Sequence, residues 1–144
     1  MKSKSVFNVL KFIFILLLLS TAIGKLLDNR GFAEVILSYQ FGISLGLALA
    51  LGLLVSLFEL ALALALFFNI KQKRNGFLLT LMHAGYTVLA ATALLRGLNL
   101  TNCGCFGIFW QRSLTWQTVL EDLFLTALSI LFFWLASKKE SINS

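Results

Sequence analysis

Charge is what this sequence has least of. Charged residues make up 12% of the 144, against roughly 25% in a typical soluble domain. Hydrophobic residues reach 59% and the mean hydropathy is +0.91. A soluble protein of 16 kDa has no single core large enough to hide that surface, so lipid is the solvent that suits the composition. Proline is absent, and nothing signals a broken helix. Histidine occurs once and cysteine twice, too few on one chain for a metal site. Regular polar–apolar alternation is missing as well. Runs such as LALALGLLVSLF do not read as strands of a membrane barrel. There is no internal repeat, low-complexity tract or soluble domain.

What is present is four apolar stretches, at about 6–27, 44–68, 77–95 and 116–136. Each approaches the roughly 20 residues that cross a bilayer as a helix. Helices satisfy their own backbone hydrogen bonds in lipid. The expectation is therefore an all-α, integral-membrane four-helix bundle, one domain over residues 1–144. The first stretch also resembles a signal peptide, with Lys2 and Lys4 before an apolar core and the small run Ser20-Thr21-Ala22. Against that, the apolar pattern continues through Ile23, Leu26 and Leu27. Between the first two spans, Phe32, Val35, Ile36 and Tyr39 recur at helical spacing among Arg30, Glu34 and Gln40. This predicts a short amphipathic helix that lies on the membrane surface, extends the first span, or covers a site below it.

The net charge of +6 invites a nucleic-acid reading, but the basic residues cluster at helix ends instead. Lys2, Lys4, Lys11, Lys71, Lys73, Arg74, Lys138 and Lys139 fall on one side of a four-span topology; Lys25, Arg30, Arg96 and Arg112 fall on the other. The positive-inside rule puts both termini in the cytoplasm and connections 28–43 and 96–115 outside, in a plasma (inner) membrane. Trp110 and Trp116 then mark the outer interface and Trp134 the inner one.

Glu59 sits inside the second span, where a charge costs several kcal/mol, roughly 2.5–3.5 on insertion scales. It continues a small-residue stripe, Ala48, Gly52, Ser56 and Ala63, the kind of face that lets helices approach closely. Counted from each span's midpoint, His83 lies at the same depth, which predicts a hydrogen-bonded Glu59–His83 pair if the helices are neighbours. Lys11 is a further contributor. The pair reads as an interhelical clamp, a proton relay or a quinone contact. With straight helices this level lies many ångströms from the outer loop, away from any sulfur chemistry.

The two thiols stand one residue apart in RGLNLTNCGCFG, residues 96–107. Their outer placement permits a disulfide. A disulfide that staples a fold closes a long loop, and this one would close almost nothing. A small strained ring is easily reduced, which favours redox-active over inert cysteines. Gly104 and Gly107 relax the backbone and leave the sulfurs uncovered for an incoming thiolate, while Phe106 helps anchor the turn. Arg96 and Arg112 are placed to favour a thiolate.

These residues resemble the MauE/DoxX-like membrane protein family. The resemblance rests on STAIGKLLDNRGF (residues 20–32, with Lys25), on Glu59 in LFELALAL, on Arg96-Gly97 followed by Cys103-Gly104-Cys105-Phe106-Gly107, and on Trp116 and Asp122 at the start of the last span. Glu121 stands where the family commonly has a basic residue. The resemblance implies a four-helix membrane protein tied to methylamine utilisation, which supports maturation of a disulfide-rich enzyme subunit alongside a thioredoxin-fold partner. On this reading Cys103 and Cys105 exchange disulfides with that partner, and Glu59 and His83 hold a ligand or carry protons. The admissible cofactor is a membrane quinone: with a single cysteine pair, the quinone approaches it directly or a partner supplies the electrons. The expected partners are the lipid bilayer and a thioredoxin-fold protein, with no nucleic acid and no stated oligomer. A non-enzymatic scaffold for maturation and a small transporter are the alternatives.

Overall fold

A computed structural model describes residues 2–104 and 111–143, and the architecture is all-helical there. The elements are α1 (Lys2–Leu27), α2 (Asn29–Ser38), α3 (Leu45–Phe67), α4 (Gln72–Leu95) and α5 (Trp116–Asn143). All except α2 are long and apolar enough to cross a membrane, so the chain is a multi-pass membrane protein. Large apolar side chains such as Phe12, Leu54, Phe67, Leu120 and Phe124 cover the outside of the bundle.

The helix ends follow from local chemistry. Arg96 caps α4, Gly97 takes φ +72°, and Leu98 N–H donates to Ala93 O at 3.0 Å while Gly97 N–H donates to Leu94 O at 2.9 Å. This is a Schellman stop, which needs a left-handed residue after the cap. Asn69 (φ +57°) ends α3 in the same way. Asp28 caps α2 by accepting from Gly31 N–H at 2.8 Å, so α1 and α2 are joined by a single turn residue.

α1 packs mainly on α3 and α4 mainly on α5, whereas α3 and α4 touch little. The small stripe faces inward as expected: Ala48, Gly52, Ser56, Glu59 and Ala63 are all buried. A Cβ at Gly76 would stand 3.0 Å from Phe133 Cα, which shows how closely α4 and α5 approach. Toward one end, Phe7, Phe14, Leu18, Leu62, Leu66, Leu79 and Phe132 form a closed apolar core. Lys11 donates to Asn69 Oδ1 at 2.8 Å and Lys139 lies over the Phe7 ring. The start of α1, the α3–α4 connection and the end of α5 therefore share this end, and most of the basic clusters gather there.

At the other end, α2 is not simply laid across the surface. Asn29 Nδ2 donates to Leu49 O at 3.2 Å. A Cβ on Gly52 would meet Asn29 Oδ1 at 2.7 Å and Phe32 at 3.1 Å. α2 is thus sunk more than one turn below the start of α3. Of the three roles its amphipathic pattern allowed, it takes the covering one.

Candidate functional site

α2 forms a roof, and the Cys103–Gly104 segment is clamped beneath it. Cys103 N–H donates to Arg112 O at 2.9 Å, and the Tyr39 hydroxyl donates to Cys103 O at 3.0 Å. Leu114 N–H donates to Leu100 O at 2.9 Å, so the two arms of the 96–115 connection are paired. Leu100, Cys103 and Leu114 bury themselves against Ala90, Ala93 and Val119. Gly104 has φ +74°, and a Cβ there would stand 2.7 Å from Val35 and 3.1 Å from Phe32. Only glycine fits both that dihedral and that contact.

This differs from the open turn read from the sequence. Cys103 is 4% exposed, because the room glycine frees at residue 104 is filled by the side chains of α2. Cys105, Phe106 and Gly107, with Trp110, lie outside the described residues.

The two arginines tie down the backbone around the turn, and Arg112 also interacts electrostatically with Cys103. Arg96 Nη1 donates to Tyr39 O at 2.8 Å and Nη2 to Gln40 O at 3.4 Å, which fixes the end of α2 and hence the Tyr39 clamp. Arg112 forms a two-pronged ion pair with Glu121, with Nη2 to Oε1 at 3.0 Å. The Glu121 hydrogen bond raises the guanidinium above its ordinary value against an opposing desolvation, with a smaller push from Cys103. Glu121, given no role in the sequence reading, therefore anchors the returning arm of the loop. Gly97 stops α4, and Trp116 is an exposed residue at the start of α5.

Below the roof lies a cluster of ionisable groups drawn from all four long helices. Lys25 of α1 is fully buried and donates to Glu59 Oε1 at 2.6 Å and to the Tyr86 hydroxyl at 3.1 Å. The Tyr86 hydroxyl in turn donates to Glu59 Oε1. The Lys25 ammonium also sits 5.0 Å from the Phe32 ring centroid and 4.9 Å from that of Tyr86, within cation–π range. The expected Glu59–His83 bond is replaced by this pairing: His83 Nδ1–H donates to Leu79 O at 2.9 Å, one turn back along α4. Burying two opposite charges is tolerable only when each has the other, and a flexible lysine reaches the glutamate better than a ring does. Lys11 is spent at the opposite end. Glu59 Oε2 accepts no hydrogen bond among the described residues. Together with Thr21, His83 and Asp122 it lines an inner cavity of about 10 Å³, close to the space of one water.

Two larger cavities meet at the cysteine turn. A polar cleft of about 450 Å³ is lined by Asp28, Glu34, Asn99, Thr101, Asn102 and Gln111. An apolar cavity of about 340 Å³ lies between α2, α3 and α4, bounded by Phe41, Leu51, Val55, Leu89, Tyr86 and Cys103. Phe32, Val35 and Gly104 line both. α3 and α4 touch little, and the apolar cavity occupies space between them and α2. Tyr86, bonded to Glu59, shares this cavity with Cys103, so the buried carboxylate is linked to the loop through one side chain.

No curated protein and no solved structure matches the chain. Residues 3–135 match the family model described as methylamine utilisation protein MauE. That span takes in α2, α3 and α4 whole, most of α1 and α5, the buried Lys25–Glu59 pair and the cysteine turn, and the chain belongs to the MauE family.

Proposed function

We propose that this protein is a membrane thiol–disulfide exchange factor that serves the maturation of a disulfide-rich partner, with Cys103 and Cys105 as its redox couple. The observation that supports this is the seat of the turn: Cys103 is pinned on both sides of its backbone at the boundary between a polar cleft and an apolar cavity. A loop staple has no need of such a boundary.

Burial of Cys103 supports a division of roles. A folded partner does not reach a sulfur under α2, so Cys105 meets it, while Cys103 departs when the partner attacks and, in reverse, displaces the partner from Cys105. A small-ring disulfide is strained and therefore oxidising, which sets the direction. A partner thiolate attacks the Cys105 sulfur, and the Cys103–Cys105 bond breaks with Cys103 leaving as thiolate. A second partner thiolate then attacks the mixed disulfide, and the partner departs oxidised by two electrons. The polar cleft, rich in amide and carboxylate side chains, is the docking face for an extracytoplasmic thioredoxin-fold protein. The charge bias of the helix ends supports an orientation with that face outside and both termini inside, in the inner membrane. Membership of the MauE family supports a place in methylamine utilisation.

The test is trapping in intact membranes. Cys103→Ser leaves Cys105 without its resolving sulfur and is expected to hold a thioredoxin-fold protein as a reductant-sensitive adduct; Cys105→Ser is not. Impermeant maleimide should tag Cys105 from the outer side. Full activity of the Cys103→Ser, Cys105→Ser double variant, or tagging only from the cytoplasm, would sink the proposal in favour of the scaffold reading.

A further inference from the structure

The exchange cycle leaves the couple reduced, and its reoxidation needs an electron acceptor. This chain holds only two cysteines, so no second pair is available within it. The polar cleft is the partner's side of the turn. On the other side Cys103 faces the apolar cavity of about 340 Å³, within the roughly 300–1,000 Å³ range of small-molecule sites. Phe41, Leu51 and Leu89 on its rim are exposed on the lipid-facing surface, so the cavity is entered from the bilayer. The walls are aromatic and aliphatic, which excludes a charged carrier. The inner end is different: it presents Tyr86, whose hydroxyl bridges the buried Lys25 ammonium and Glu59. A molecule suited to both ends has a flat apolar body and a polar edge that takes up protons.

Resting on the exchange reading above, we infer that this cavity binds the head group of a membrane quinone, which takes the electron pair from Cys103 and Cys105. The step balances. Two S–H bonds break and one S–S bond forms; two electrons and two protons leave the sulfurs and convert one quinone to one hydroquinone. Buried Cys103 is the sulfur that lines the quinone cavity. Tyr86, held by Lys25 and Glu59, positions the inner edge of the ring.

The test separates binding from thiol chemistry. Full-length protein in lipid nanodiscs is photolabelled with an azido-ubiquinone, and the labelled peptides are mapped. Label is expected on α2, α3 and α4 residues around Val55, Tyr86 and Leu89. Val55→Trp and, independently, Leu89→Trp fill the cavity and should weaken labelling about tenfold or more; Leu123→Trp on the lipid-facing side of α5 should not. In a second arm, reduced protein is mixed anaerobically with a short-chain ubiquinone. One quinone consumed per cysteine pair is expected, with a loss of rate in the two filled variants. With Cys103→Ser added to each, their Cys105 should still form the mixed disulfide in the trapping assay. Label spread evenly over lipid-facing residues, or unchanged by both tryptophans, means the cavity takes acyl chains and overturns the inference. Site-specific label without quinone consumption overturns it as well. Failure of the trapping assay, with labelling intact, falls on the exchange reading instead.

Discussion

The two halves of this bundle are built on opposite terms. In the half that contains Phe7, Phe14, Leu66, Leu79 and Phe132, the interior is closed and apolar, with Phe132 stacked on Phe7 at 4.9 Å and edge-to-face with Phe14 at 6.0 Å. In the other half the same four helices bury Lys25, Glu59, His83 and Asp122 and admit a loop and a short helix from outside, with cavities on both sides of that roof. Lipid supplies little drive for apolar side chains to associate, so close fit holds the first half together. Charges that have no alternative partner in lipid hold the second. One half is scaffold and the other is where chemistry is affordable.

The largest effect should come from splitting the ion pair. Lys25→Met leaves an unpaired carboxylate and is expected to destabilise by about 3–5 kcal/mol, read from reversible unfolding in mixed micelles. The double variant Lys25→Met, Glu59→Leu should recover most of that loss. If the single variant is as stable as the wild type, the polar half is not held by its charges. Next comes the dry half. Phe132→Ala should cost about 3 kcal/mol, at the low end for a buried phenylalanine because packing is the main term in lipid. Thiol exchange by the folded fraction should stay at the wild-type rate; a parallel fall would erase the division between the halves. The smallest effect is expected at the clamp. Tyr39→Phe removes one neutral hydrogen bond, about 1 kcal/mol, with little change in melting. Alkylation of Cys103 by a small maleimide should nevertheless rise several-fold, since the roof is loosened directly above it.

Much of the scaffold half was legible because its signals are local. Apolar length, the Ala48–Gly52–Ser56 stripe and the clustering of basic residues each report on one helix. The α2 pattern was legible too, although its depth was not. The ion pair escaped because depth was counted along the backbone, which put Lys25 outside. Its side chain instead runs inward, and the clue was available: Phe14, Leu18, Ala22 and Lys25 follow one face of α1, and all four are fully buried. A lysine that continues a buried stripe should be matched with an intramembrane carboxylate before any histidine is. Tyr86, one turn after His83, escaped for the same reason. The apolar cavity had no sequence signal, because its walls come from α2, α3 and α4 together, and no single segment encodes how three helices are placed.

Phe32 stands where all these compartments touch. Its ring borders the cleft and the oily chamber, presses on Gly104, and faces the Lys25 ammonium. With Val35 and Gly104, this phenyl group thus forms the partition between a polar room and a hydrocarbon room. Any tilt of the roof that bared the inner sulfur would shift that partition, and with it the charge behind it.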